Sequence, residues 1–272
     1  MTDLPAEHAA AVSDRAILTG SAYRTGRDLA ARQSLYQWQQ PRYDLPGIVV
    51  EQLRHTHGTV VDIGCGNGKF LARLRQDRPG LRLLGLDVSP GILADVAGPV
   101  AVADAVRLPL PSASVDAALA LHMLYHVEDM PAGIAELSRV VKPDGRLIVT
   151  TNSEREKAEL ARLWERAAAD VLGVEKGPER ISLSARFPLE KAVDLLGTCF
   201  GHVETIALPG TITVRSPEPV VAHMKSYRAW ADRQDAPFEE TIERAREIVT
   251  EHIEKSGSFE IGCLGGMLVC TR

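Results

Sequence analysis

Three glycines at alternate positions, Gly64, Gly66 and Gly68, end a run of β-branched residues and restrict what this chain can fold into. From Thr59 to Phe70 the sequence reads T-V-V-D-I-G-C-G-N-G-K-F. Thr59, Val60, Val61 and Ile63 suit a strand covered on both faces. At the turn, glycine tolerates positive φ, and its missing Cβ lets a ligand lie against the backbone. A helix opening near Lys69 points its N-terminal amides at the same place. Buried strand, tight turn and helix in that order predict an α/β chain with a nucleotide-like ligand at the turn. The dinucleotide fingerprint G-x-G-x-x-G would need glycine at position 69, where this chain has Lys69. The third glycine comes one residue early, giving D-x-G-x-G-x-G from Asp62 to Gly68.

Further strands and turns follow in order. Leu81 to Pro90 (L-R-L-L-G-L-D-V-S-P) reads as a second apolar strand ending in an acid, Asp87, and Val100 to Leu110 holds a third, ending at Asp104. Ser114 to Val127 reads as a fourth strand opening into the turn H-M-L-Y-H, and Leu137 to Thr151 as a helix end, a Lys-Pro-Asp-Gly turn and a fifth strand. With these features in this order, the chain resembles the class I S-adenosylmethionine-dependent methyltransferases of the small-molecule and natural-product type, over roughly Val60 to Thr151. The resemblance implies a doubly wound, Rossmann-like α/β fold. Its sheet is seven-stranded and mostly parallel, with an antiparallel last strand and a helical cap. Ligand atoms should collect beyond the carboxyl ends of strands one and four, where strand order reverses.

The same resemblance implies S-adenosylmethionine as cofactor, S-adenosylhomocysteine as product, and no metal. Its cofactor-binding residues map onto Asp62, Gly64, Cys65, Gly66 and Gly68 at the first turn, and onto Asp87 and Val88 at the second. An acid at the tip of the second strand can accept hydrogen bonds from both ribose hydroxyls. Asp104 is expected at the adenine amino group, the amide of Ala105 at the ring, and Leu121 beside the methionine part. In many such enzymes the segment before the first strand folds over the ligands. Tyr23, with Arg24 and Arg27, is then placed at the methionine carboxylate; the alternative is that these residues are a solvated helix start.

Methyl transfer from a sulfonium is an in-line displacement, so the protein must align the acceptor and exclude water. A base helps where the acceptor has a proton to lose. His122, Tyr125 and His126 are the candidates, since imidazole titrates near neutrality; the alternative for His126 is a hydrogen-bonded core residue. Leu121-His122-Met123-Leu124 stands where amino-directed DNA methyltransferases carry Asn or Asp, Pro-Pro and an aromatic, and no Pro precedes a Cys as cytosine C5 enzymes require. A net charge of −5 with no long Lys/Arg run also speaks against a nucleic-acid substrate. The expected reaction is therefore methyl transfer to an N, O or C atom of a small metabolite, in secondary metabolism. The alternatives are an RNA methyltransferase and a non-methylating S-adenosylmethionine-binding protein.

At 272 residues the chain is long enough for one large α/β domain with an insertion. The expected organisation is an N-terminal helical lid over 1–55, a cofactor-binding core over 56–210, a helical cap over 211–258 and a final core strand over 259–272. Residues 1 to about 20, rich in Ala, read as a frayed arm or loosely packed helix. Pro188 to Leu196 reads as a helix and His202 to Leu208 as a sixth strand. Cys65, Cys199, Cys263 and Cys270 lack the C-x-x-C pairing of zinc sites and read as reduced thiols. No apolar run reaches the length of a membrane span and no basic leader precedes an apolar stretch, so a cytoplasmic protein with no membrane contact is expected. The family often forms homodimers, though no interface is legible here.

Overall fold

The computed structural model describes residues 6–272. The first five residues of the expected lid, and with them part of the leader reading, lie outside the described residues. Helices α1 (Ala6–Ser13) and α2 (Arg15–Ile17) lead through a π-helical turn to α3 (Arg27–Ser34), the two-residue strand β1 (Gln39–Gln40) and α4 (Leu45–Gln52). Strand β2 (Thr59–Ile63), α5 (Lys69–Asp77), β3 (Arg82–Asp87), α6 (Pro90–Leu93), β4 (Val100–Val102), β5 (Val115–Leu121), α7 (Met130–Val140) and β6 (Val141–Asn152) make the alternating half. The remainder is α8 (Ala158–Leu172), α9 (Leu189–Gly197), β7 (His202–Val214), α10 (Glu218–Lys225), α11 (Phe238–Ser256) and β8 (Phe259–Thr271).

These strands form one sheet in the order β1-β7-β8-β6-β5-β2-β3-β4. β2 through β6 pair in parallel, whereas β8 lies between β6 and β7 and runs antiparallel to both. Order reverses between β2 and β5, which leaves a crevice beyond their carboxyl ends. The sheet has eight strands where seven were expected. The extra one, β1, is a short antiparallel edge on β7, with Gln39 opposite Ile212. The Lys-Pro-Asp-Gly segment is a bulge within β6: the register jumps from Val115–Val141 to Ala117–Arg146. β7 runs six residues beyond the expected Leu208, because Pro209 and Gly210 keep their pairing with Leu264 and Cys263.

The parallel strands have no polar face. Val60, Val61, Ala117, Ala118, Leu119 and Ala120 are fully buried, with α7 packed on one side of the sheet and α4 and α5 on the other. A separate core joins α8, α10 and α11 to β7 and β8, with Leu160, Leu163, Trp164 and Ala167 of α8 facing Ile242 and Ala245 of α11. That stripe is spaced at one helical face, and each large side chain in it stabilises the packing by about 1.5–3 kcal/mol. Asp44 and Asp129 cap α4 and α7 by accepting from Gly47 N and Ala132 N, and Pro46 stands in the first turn of α4.

From Ala6 onward the N-terminal segment takes the helical of the two expected forms, and it is packed. Ala11, Val12 and Leu18 are buried, and Trp230 Nε1 donates to the Ala11 carbonyl at 3.0 Å. An Ala-rich stretch carries a weak apolar signal, but its small side chains let α1 approach the residues between α10 and α11 closely.

Candidate active site

A single cleft of about 1450 Å³ occupies the crevice, with the glycine turn at one end and residues of β6, α8 and α10 at the other. Its wall at the glycine end is backbone. Gly64 N and Cys65 N both donate to the Leu86 carbonyl, and Gly66 N donates to Asp87 Oδ2 at 2.9 Å. Gly66 and Gly68 have φ of 53° and 72°, which side-chain-bearing residues rarely adopt. Gly66 faces Leu29 of α3, so the third helix lies over the turn. Gly68 begins α5 and backs onto Val96; it does not line the cleft, so its glycine is needed for packing and chain direction and not for ligand contact.

Two carboxylates sit at this end. Asp62, at the tip of β2, is 1% exposed, and neither of its oxygens has a hydrogen-bond partner among the described residues. Burial, and then the neighbouring Asp87 carboxylate, push its pKa up to about 8. Asp87 is also raised by burial, but the amides of Ser89, Gly66 and Val88 counter the shift. Val88, Ala105 and Leu121 line the cleft beside them. Cys65 lines it too, while its thiol points toward Gly85 of β3 and is pushed up by burial. Asp104 lies at the rim, where Arg15 Nη1 donates to its Oδ2 at 2.8 Å.

Segments before β2 roof the cleft. Tyr23 is expected there and is there, with its Oη 2.7 Å from His126 Nε2. Arg27 is not: its side chain is 87% exposed, beside Asp28. The guanidinium that reaches the cleft is that of Arg32, 7% exposed, with Nη1 donating to the Ser226 carbonyl at 2.7 Å and Nη2 unpartnered. Arg27 starts α3 on its outer side, while Arg32 falls on the face that carries Leu29 inward.

The three residues expected at the chemistry divide. His126 Nδ1 lies 2.8 Å from the Val12 carbonyl, which can only accept, so Nδ1 carries the proton and Nε2 accepts from Tyr23 Oη. Burial holds this ring neutral, with a pKa lowered to about 3. Both nitrogens are committed, and His126 positions Tyr23. Tyr125 is buried, and burial raises its hydroxyl well above the usual phenol range, so it remains a donor. His122 follows β5 with φ of 56°, strained for a non-glycine residue, its amide bonded to the Thr150 carbonyl. Its side chain lines the cleft, and burial, with Lys157 nearby, lowers its pKa to about 4.

The far end holds residues that sequence reasoning missed. Lys157, also at φ 56°, sends Nζ to Glu156 Oε1 and Tyr36 Oη, and Tyr36 Oη donates to Glu156 Oε1 at 2.8 Å. Burial would raise Glu156, but Lys157 and the Leu264 amide hold it below the usual carboxylate range. Arg180 and His223 complete this end. An adjacent Glu-Lys before a helix and a lone Arg in a polar loop are ordinary surface patterns, and nothing in the sequence marks them as buried.

Comparison with known proteins fits this geometry. Residues 61–149 match a family described as a methyltransferase domain. A malonyl-[acyl-carrier protein] O-methyltransferase of Hahella chejuensis is 37% identical over 112 residues, 39% of this chain and 40% of that protein. The chain thus matches less than half the length of that relative. A protein of the same name from Methylococcus capsulatus is 30% identical over 217 residues, covering 76% of this chain and 72% of the relative. A Haemonchus contortus phosphoethanolamine N-methyltransferase, solved with S-adenosylhomocysteine, shares the fold at a TM-score of 0.54 and 14% identity, over 95% of this chain and 59% of the other.

Proposed function

Because this chain belongs to the class I S-adenosylmethionine-dependent methyltransferase family, we propose that it transfers a methyl group from S-adenosylmethionine to an N, O or C atom of a small metabolite. The observation that carries the reading is Asp62, a buried carboxylate with two unpartnered oxygens lining the cleft beside a positive-φ glycine turn. A buried polar atom without a partner costs about 1–3 kcal/mol. A ligand ammonium at Asp62 removes that cost, and the methionine end of the cofactor supplies one. Asp87 and the Gly66 backbone then face the ribose, and Asp104 and Ala105 the adenine. Arg32, in place of the expected Arg27, takes the methionine carboxylate beside Tyr23.

When bound, the cofactor supplies an activated methyl group. The chain's own residues do the rest. Leu29, Tyr23 and the buried α1 segment roof the cleft and exclude water. His126 fixes the phenol of Tyr23. His122 is neutral at physiological pH and accepts the acceptor's proton at an imidazole nitrogen. The segments 1–55 and 211–258 serve as lid and cap, and 56–210 with 259–272 as the core. We extend the reading to a cytoplasmic enzyme of secondary metabolism whose acceptor is not a nucleic acid, which the net charge of −5 supports.

Isothermal titration calorimetry with S-adenosylhomocysteine, and NAD⁺ in parallel, tests the reading. Micromolar binding of the first and none of the second is expected. Binding of NAD⁺ alone, or of neither, rejects it.

A further inference from the structure

We propose that the far end of the cleft, where Arg180 and His223 flank the Tyr227 ring, is an anion site that holds a carboxylate or phosphate group of the methyl acceptor. That the anion belongs to a methyl acceptor rests on the methyl-transfer reading, but the site itself stands on separate residues. Arg180 lines the cleft with its guanidinium 4.0 Å from the Tyr227 ring centroid, and its Nη2 is buried without a partner. His223 is 3% exposed, and both of its ring nitrogens are buried and unpartnered. Their rings are close: His223 and Tyr227 lie 5.5 Å apart between centroids.

Charge makes the case. The ion pair described at this end is Lys157–Glu156, a neutral combination that offers Arg180 nothing. Among the described residues no carboxylate pairs with Arg180 or Arg32. A histidine in such a place escapes the cost by staying neutral, and burial with Arg180 nearby lowers His223 well below its ordinary value. A guanidinium has no such escape, since it stays protonated at any accessible pH. Its remaining relief is an anion, and its fork of N–H donors matches carboxylate and phosphate oxygens alike. Tyr227 stacks on one face of the guanidinium and fixes its plane, leaving the N–H edge for the ligand. Neutral His223 contributes one further N–H.

Both residues come from outside the part of the chain matched by the family. Arg180 sits in the loop after α8 and His223 in α10. They therefore read as this chain's own specificity, distinct from the cofactor end at Asp62.

The test titrates malonate, inorganic phosphate and the neutral malonamide into the protein, with and without S-adenosylhomocysteine. At least one anion should bind and malonamide should not; which anion binds identifies carboxylate or phosphate as the group. Arg180→Gln should weaken that anion about tenfold or more, leave S-adenosylhomocysteine affinity unchanged, and be partly rescued by Arg180→Lys. The proposal fails if neither anion binds, if malonamide binds as well as malonate, or if anion affinity is the same in Arg180→Gln and the wild type. Loss of S-adenosylhomocysteine binding with the anion response intact would overturn the methyl-transfer reading alone.

Discussion

The two ends of the cleft are built by opposite means. At the glycine end, the cleft wall is glycine backbone and two carboxylates set at the tips of adjacent parallel strands, Asp62 and Asp87. At the far end they are long cationic and aromatic side chains, Arg180, Lys157 and Tyr227, carried in from the loop after α8, the N-cap of α8 and the residues just after α10. The first end is acidic, with Asp62 unpartnered, and the second is basic with one internal ion pair. A dipolar ligand would be oriented by that contrast before any close contact forms. On the proposed reading the backbone end takes the cofactor, and the side-chain end can vary with the acceptor.

The sharpest way to break this contrast is Gly66→Val. A β-branched residue at φ 53° is strained, and its Cβ meets Leu29. We expect S-adenosylhomocysteine binding to become undetectable by calorimetry, and normal binding would place the cofactor elsewhere.

Asp62→Asn comes next. The carboxyl is mostly protonated in the free protein at neutral pH, because its pKa is about 8. A ligand ammonium favours the ionised form, so binding should release a proton near pH 7, and affinity should rise with pH toward 8. Asparagine should weaken binding by about 2–4 kcal/mol and remove that proton release, measured by calorimetry in buffers of different ionisation enthalpy. The free protein should show the converse. With its pKa raised in the folded state, Asp62 binds more protons folded than unfolded between about pH 4 and 8. Stability should therefore fall as pH rises through that window, and denaturant melts of the Asn variant should lack the fall.

A smaller effect belongs to His122, just past the end of β5. His122→Ala should lower kcat about a hundredfold and leave S-adenosylhomocysteine affinity within about twofold. In the wild type the acid limb of kcat/KM should have its midpoint near pH 4, since His122 of the free protein is neutral above its pKa of about 4. A limb unchanged in the alanine variant would remove His122 as the base. The smallest effect is Arg27→Ala, whose exposed side chain should change neither affinity nor turnover measurably. A cofactor-binding loss there would contradict its solvent position.

The difference between the ends also explains what was legible in the sequence. Thr59 to Gly68 announced strand, turn and ligand wall together, because a parallel strand needs an unbroken apolar run and a positive-φ turn needs glycine. Asp62, Asp87 and Asp104 were visible for the same reason: each ends such a run. Arg32 and Arg27 are five residues apart in one helix with equal chemistry, and only the rotation of α3 against the glycine turn decides which is buried. Arg180 lies in a polar stretch whose burial depends on α10, far along the chain. Between a frayed arm and a loosely packed helix the sequence could not choose for residues 6 to about 20, because the contact of Ala11 with the distant Trp230 leaves no periodic trace.

The position of β8 has a consequence for how the molecule assembles. It is a wedge between β6 and β7, so Thr150 finds its partner, Met267, on the order of a hundred residues downstream. Until that strand arrives, β6 presents an open edge of unpaired amides beside the buried β5, and β7 has only the two residues of β1. Such an edge is a template for pairing with other chains. Nascent or thermally opened molecules should therefore associate through β6, and the rate of inserting β8 sets how long that hazard lasts.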